Sequence, residues 1–201
     1  MMRKSAVLAL AGAALIVLAG CGAPAAQLGA AAAQATSVQP GPGAASSAPS
    51  TSGTADGSTP SAAAQMICGD ETKTNLASSL ALPGPPQSAD SWSDQLYTCT
   101  YALPAGQLVL SVKESESPAS ARAYFDALQK TLGSAEAIEG LANLGLPAYK
   151  TADGNVVFVK DNMTLQVNGT GLTGTVGPHA VSRTELSFEV ATAILGCWRE
   201  H

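Results

Sequence analysis

The sequence predicts an α+β domain, a mainly antiparallel sheet with helices packed on one face, and three observations carry that expectation. Tyr97, Cys99 and Tyr101 alternate with Thr98 and Thr100, and Met163, Leu165 and Val167 alternate with Thr164, Gln166 and Asn168. That is the period of strands with one bulky face. Ala121, Tyr124, Phe125, Leu128 and Leu132, and later Leu186, Val190 and Ile194, recur instead at helical spacing. The elements run helix, hairpin, helix, two or three strands, helix, an order that suits helices laid on an antiparallel sheet.

The chain opens differently. Arg3 and Lys4 precede an apolar run over 6–17, and small residues lead to Cys21. This is the layout of an export signal. The whole apolar run from Ala6 to Gly20, about fifteen residues, is short for a span that needs roughly twenty. Leu18-Ala19-Gly20-Cys21 resembles the bacterial lipobox, Leu-(Ala/Ser)-(Gly/Ala)-Cys. In lipoproteins with that box the cysteine thiol receives a diacylglyceryl group, and a peptidase cleaves immediately before it. The resemblance implies that residues 1–20 are a removed signal peptide. It also makes Cys21 a lipidation site, not a catalytic or metal-binding thiol. Two acyl chains, at about 0.8 kcal/mol per buried methylene, anchor durably where one is marginal. Plain secretion after an Ala-x-Ala cut and a retained span are the competing readings. The Ala/Gly bias resembles proteins of high-GC actinobacteria, and there the expected destination is the extracytoplasmic face of the cell membrane.

Loss of residues 1–20 removes Arg3 and Lys4 and leaves eight basic residues against fifteen acidic, a formal balance of −7. Such a body has no general attraction for nucleic acid or anionic lipid headgroups, so the expected membrane contact is through the lipid anchor. Residues 21–64 then form the acylated cysteine and a tether of Ala, Gly, Pro, Ser, Thr and Gln, with Leu28 and Val38 its only large aliphatics. It buries too little apolar area to offset backbone ordering and is expected to be disordered. Flexible-chain scaling gives it a reach on the order of 35–40 Å.

Residues 65–201 read as a single compact domain. Asp70 is placed to cap a short helix through about Leu82, with Leu76 and Leu80 on one face and Pro83-Gly84-Pro85-Pro86 as its stop. The strand through Tyr97–Tyr101 turns at Pro104-Ala105-Gly106 into a second strand at Leu108, Leu110 and Val112. Ser117 and Pro118 read as N-cap and N1 of the next helix, and Gly133 as its C-cap. Residues 140–145 lead to a short apolar approach at Ala148-Tyr149, and Asp153-Gly154 turns the chain. The unbroken run Val156-Val157-Phe158-Val159 suggests a strand covered on both faces. Its partner, Met163 to Val167, follows across Lys160-Asp161-Asn162. Residues 169–178, with four glycines, are expected to be a mobile loop. Ser182 and Glu185 form a capping box for a last helix whose stripe is Leu186, Val190, Ile194 and Cys197, broadened by Phe188, Leu195 and Trp198.

Outside the cytoplasm the three remaining cysteines are expected to form a disulfide. Cys68–Cys99 is favoured because it staples the first helix to the first strand across the Pro-rich excursion. It leaves Cys197 as a buried thiol beside Trp198; Cys99–Cys197 is the rival pairing. A three-cysteine zinc site is disfavoured, since there is no Cys-x2–4-Cys pair. Ile67-Cys68, Cys99-Thr100-Tyr101, residues 138–145 with Ala148-Tyr149, and the hairpin over 156–167 resemble the DUF3558-type domains of small actinobacterial envelope lipoproteins. In that group the two early cysteines are usually bonded, which again implies Cys68–Cys99. The final Cys197-Trp198 helix departs from the pattern, and the group brings no catalytic residues.

No motif for chemistry stands out, and neither a cofactor nor a metal site is read. There is no Gly-x-Ser-x-Gly elbow. A triad would have to recruit His179, beside the glycine loop, or the terminal His201. Glu114 and Glu116 have strand spacing, with a solvated strand end as the plain reading and an acid/base pair as the sharper one. Tyr97, Tyr101, Tyr124, Phe125 and Phe158 read as core, with a pocket for a small apolar ligand as the alternative. The 169–178 loop could rim a binding groove. The expected function is a non-catalytic binding or interaction module of the cell envelope, whose partner is an envelope protein, a cell-wall component or a small ligand. An envelope hydrolase centred on His179, or a carrier of a small apolar ligand, is the alternative.

Overall fold

The computed structural model describes residues 58–198. The leader, Cys21, most of the tether and His201 lie outside the described residues. The fold is α+β, with one seven-stranded sheet whose neighbours are all antiparallel. Its strands are β1 (Gln87–Ser93), β2 (Leu96–Leu103), β3 (Gly106–Glu114), β4 (Ala135–Ala137), β5 (Ala148–Thr151), β6 (Asn155–Lys160) and β7 (Met163–Asn168). They lie in the order β1-β2-β3-β7-β6-β5-β4. The helices are α1 (Ala62–Gln65), α2 (Asp70–Ser79), α3 (Pro118–Leu132) and α4 (Arg183–Cys197), with a 3₁₀ turn Met66–Cys68 between α1 and α2. The β1–β3 meander and the β4–β7 meander are therefore joined edge to edge by β3 and β7, with α3 as the crossover.

The register sorts the side chains onto two faces. Cys99 pairs with Leu110, Leu110 with Val167 and Val167 with Val156, and all four are fully buried on one face. Ile67, Leu76, Leu186, Ile194 and Trp198 close over that face from the α1–α2 segment and from α4. The expected one-sided cover therefore holds for these helices. Helix α3 lies on the other face, where Ala121 and Phe125 pack with Tyr149, Val157 and Val159. This accounts for the uninterrupted apolar run in β6. Val156 and Phe158 meet α4's layer while Val157 and Val159 meet α3's, so no residue of the run faces water. Beyond the reach of α3 the same face of β2 and β3 carries Thr98, Thr100 and Ser111, which are half-buried.

Local chemistry sets the joints. Ser117 Oγ accepts from Ser120 N and Ser120 Oγ accepts from Ser117 N, a capping box that starts α3 at Pro118. At α4, Ser182 Oγ accepts from Glu185 N. Asp70 is not the cap of α2. Gly69 holds that position, and Asp70 and Glu71 occupy the first turn, where their negative charge is favourable beside the positive end of the helix dipole. Helix α2 also ends at Ser79, short of Leu82, because Ala81 takes a positive φ of 50°. The β1–β2 turn, Asp94-Gln95, has positive φ at both residues, the geometry that matches strand twist in a two-residue hairpin.

Residues 169–178 are a packed loop, unlike the mobile one expected. Thr173 N donates to Ala105 O, and Leu172 and Val176 are buried. Gly106, at φ +125°, faces the loop so closely that a Cβ there would stand 2.1 Å from Gly171 O. Gly169 and Gly171 of this loop permit close approach, with Ser187 Oγ and Gln107 O each 2.8 Å from where a Cβ would stand.

Cys68 and Cys99 form a disulfide with Cα atoms 5.5 Å apart, the favoured pairing. The phenol of Tyr101, two residues along β2, donates to Ile67 O at 2.7 Å. Burial pushes its pKa well above the ordinary value, so it stays protonated as a donor. Together the bond and the phenol fix the Met66–Cys68 turn to β2.

Candidate functional site

Helices α2 and α4 lie on the same face of the sheet but leave a hollow of about 270 Å³ between them. Its floor is aliphatic, with Leu76, Leu186, Val190 and Ile194 all buried. The helical period explains this. Leu186, Val190 and Ile194 are spaced four apart, so the stripe that packs on the sheet also turns one edge toward α2. Glu189 and Ala193, also four apart, form the rim on the α4 side, and Asp70, Glu71 and Asn75 form it on the α2 side. Among the described residues, no Lys, Arg or His lines this hollow.

A second hollow of about 260 Å³ shares Ser79, Leu186 and Glu189 with the first. It continues toward Val176, His179 and Val181 of the packed loop. The two form one elongated groove along α4. The loop thus rims a groove, one of the roles the sequence left open for it.

His179 lines the second hollow with Ser79 and Glu189. Among the described residues, though, no hydrogen bond joins the imidazole to either, so no nucleophile–base–carboxylate relay is assembled. Glu114 is not paired with Glu116. Its Oε1 accepts from Ser61 N at 2.8 Å and so holds the chain where it enters the domain. Tyr97, Tyr101, Phe125 and Phe158 are buried core, Tyr124 is half-buried, and none of the five lines the groove. Cys197 is half-exposed, against the buried position expected for it. Its Sγ stands 3.7 Å from Glu71 Oε1 at the groove's end. No group of three or more His, Cys, Asp or Glu side chains among the described residues is placed to hold a metal ion.

Sequence reasoning identified the α4 stripe but missed the groove. The signal was present in Glu189 and Ala193, two rim residues at helical spacing beside an aliphatic stripe. What it lacked was the position of α2, which the disulfide and the Tyr101 phenol determine. A second exposed apolar feature was also missed. Leu141 is 98% exposed and Leu144 52%, at the tip of a 3₁₀ turn (Gly140–Asn143), with Leu144 at a positive φ of 56°. Comparison of the chain with protein-family models, with curated proteins and with solved structures finds no match.

Proposed function

We propose that this chain is a non-catalytic binding module of the bacterial cell envelope, with the α2–α4 groove as its docking surface. In this reading Cys21 carries the lipid that holds it at the extracytoplasmic face of the membrane, and the tether lets the domain reach its partner. The observation that supports it most is the groove itself, a concave aliphatic floor with a polar rim on one side of an otherwise closed core. Ligand and peptide sites have this character, in which apolar area supplies affinity and a few polar groups supply orientation. The lipobox at Cys21 and the resemblance to envelope lipoproteins support the placement.

The test is accessibility in intact cells. Ala193, on the groove rim, and Ala102, on the far face of β2, are both exposed. Each is replaced by cysteine in a Cys197→Ser background and treated with a membrane-impermeant maleimide. Ala193→Cys is expected to label several-fold more slowly than Ala102→Cys in cells, and at an equal rate once the protein is purified. Equal rates in cells would overturn the docking role. Failure of both to label in intact cells would overturn the extracytoplasmic placement.

A further inference from the structure

The exposed leucines between β4 and β5 lie at the end of the sheet where the tether enters the domain. We infer that Leu141 and Leu144 dip into the bilayer from which the chain is tethered, a second membrane contact besides the lipid on Cys21. The inference rests on the proposed anchoring at Cys21. Strand register fixes the placement. Glu114 ends β3 and pairs with Met163 of β7, Met163 pairs with Lys160 of β6, and Val159 N donates to Pro147 O just before β5. Residues 138–147 therefore close the β4–β5 hairpin at the Glu114 end of the sheet. Ser61 N donates to Glu114 Oε1 at 2.8 Å, so the chain arriving from Cys21 meets the domain at that same end. Three strand spacings separate β3 from β5, roughly 15 Å across the sheet, which is well within the tether's reach.

The chemistry of the tip suits a lipid interface. Residues 140–149 hold no charged side chain, and Leu141, Ala142, Leu144 and Pro147 are exposed. Backbone that leaves water must keep its polar groups paired. Leu144 N donates to Leu141 O, Gly145 N to Asn143 Oδ1 and Leu146 N to Asn143 O, so three consecutive donors are already satisfied from within the tip. Leu144 takes a positive φ that bulky side chains rarely adopt, and its half-exposed side chain offers little core burial in return. The other turns at this end, Asp94-Gln95 and Asp161-Asn162, carry acids that stay in water and confine entry to the tip. Two leucines bury too little area to hold an untethered acidic domain on lipid. A tether changes this by keeping the tip near the surface at an effective concentration on the order of millimolar. The bilayer is favoured over a protein cleft because it is the surface that the anchored chain itself brings to this end.

The experiment uses the full lipoprotein extracted from the membranes of its cells, in a Cys197→Ser background. Ala142→Cys carries a nitrobenzoxadiazole probe between the two leucines. Ala152→Cys, exposed in the β5–β6 turn at the opposite end of the sheet, carries it as the control. Each protein is reconstituted into phosphatidylcholine vesicles, floated to read anchoring, and quenched by nitroxides on the acyl chains. The Ala142→Cys probe is expected to brighten several-fold, shift to the blue and be quenched, while the Ala152→Cys probe stays in water. Leu141→Gln with Leu144→Asn, an exposed pair in which asparagine tolerates the positive φ, is expected to abolish the quenching. Flotation and the urea midpoint should not change in that variant. Protein that floats with its Ala142→Cys probe unquenched overturns the inference and leaves the anchoring standing; protein that does not float overturns both. Equal quenching at the two sites, or quenching that survives the double substitution, also overturns it. Slow maleimide labelling of Ala142→Cys in intact cells, with no quenching on vesicles, assigns the leucines to a protein partner instead.

Discussion

Replacing both Cys68 and Cys99 with alanine is expected to remove about 3–4 kcal/mol of stability, read as a fall in the urea midpoint. The bond closes a loop of 31 residues containing α2, the Pro83-Pro85-Pro86 turn and β1. Its loss lets that loop sample many more unfolded conformations. Against a domain whose whole stability is of order 5–15 kcal/mol, the loss is large. The melting temperature should drop by roughly 10 °C. The effect has a functional side, because the bond and the Tyr101 phenol together place the α2 wall of the groove. Reduction of the native protein should therefore weaken groove binding at temperatures where the sheet is still folded. A double-alanine protein that melts within a degree of the wild type would contradict the role given to the bond. Cys197→Ala, outside the disulfide, is expected to shift the melt little.

Phe158→Ala is expected to cost about 3–5 kcal/mol, the usual penalty for emptying a fully buried aromatic site. Phe158 is completely enclosed on α4's side of the sheet, with the Phe188 ring centroid 6.4 Å from its own. Its neighbour Val157 is equally enclosed but faces α3. Val157→Ala, which removes less, should still cost roughly 1–3 kcal/mol. Unfolding in urea measures both. If Val157→Ala proves neutral while Phe158→Ala does not, α3 does not cover the second face of β6, and the two-sided packing described above is wrong.

The fold was legible where periodicity and punctuation agree. Ser117-Pro118 and Gly133 bound α3 at its ends, and the alternation through Tyr97–Tyr101 and Met163–Val167 gave both faces of β2 and β7 correctly. Strand β1 was not legible, because Gln87–Ser93 has no apolar alternation to betray it. It sits at an edge, with only Ser88 and Trp92 half-buried, and its pairing with β2 holds it in place of core burial. Strand β4 is three residues long and equally silent. Both are edge strands, which gain from backbone hydrogen bonds that every residue type can make. The glycine loop misled for the opposite reason. Glycine signals conformational freedom in sequence, but at Gly171 it serves contact, with Gln107 O so near that a Cβ would stand 2.8 Å from it.

The groove was hidden for a further reason. Its floor residues are core residues by every sequence criterion, and only the hollow left between α2 and α4 borders them. Glu189 reads in sequence as a solvated helix position facing away from the core. In the structure it is the one acid common to both hollows.

The proposed role depends on the domain being presented from a membrane by its own first mature residue, and the most direct measurement is the intact mass of the protein extracted from the membranes of the cells that make it. The expected mass lacks residues 1–20 and carries a diacylglyceryl group on Cys21. A mass that retains the leader, or a mature chain whose Cys21 sulfur is unmodified, would contradict that placement.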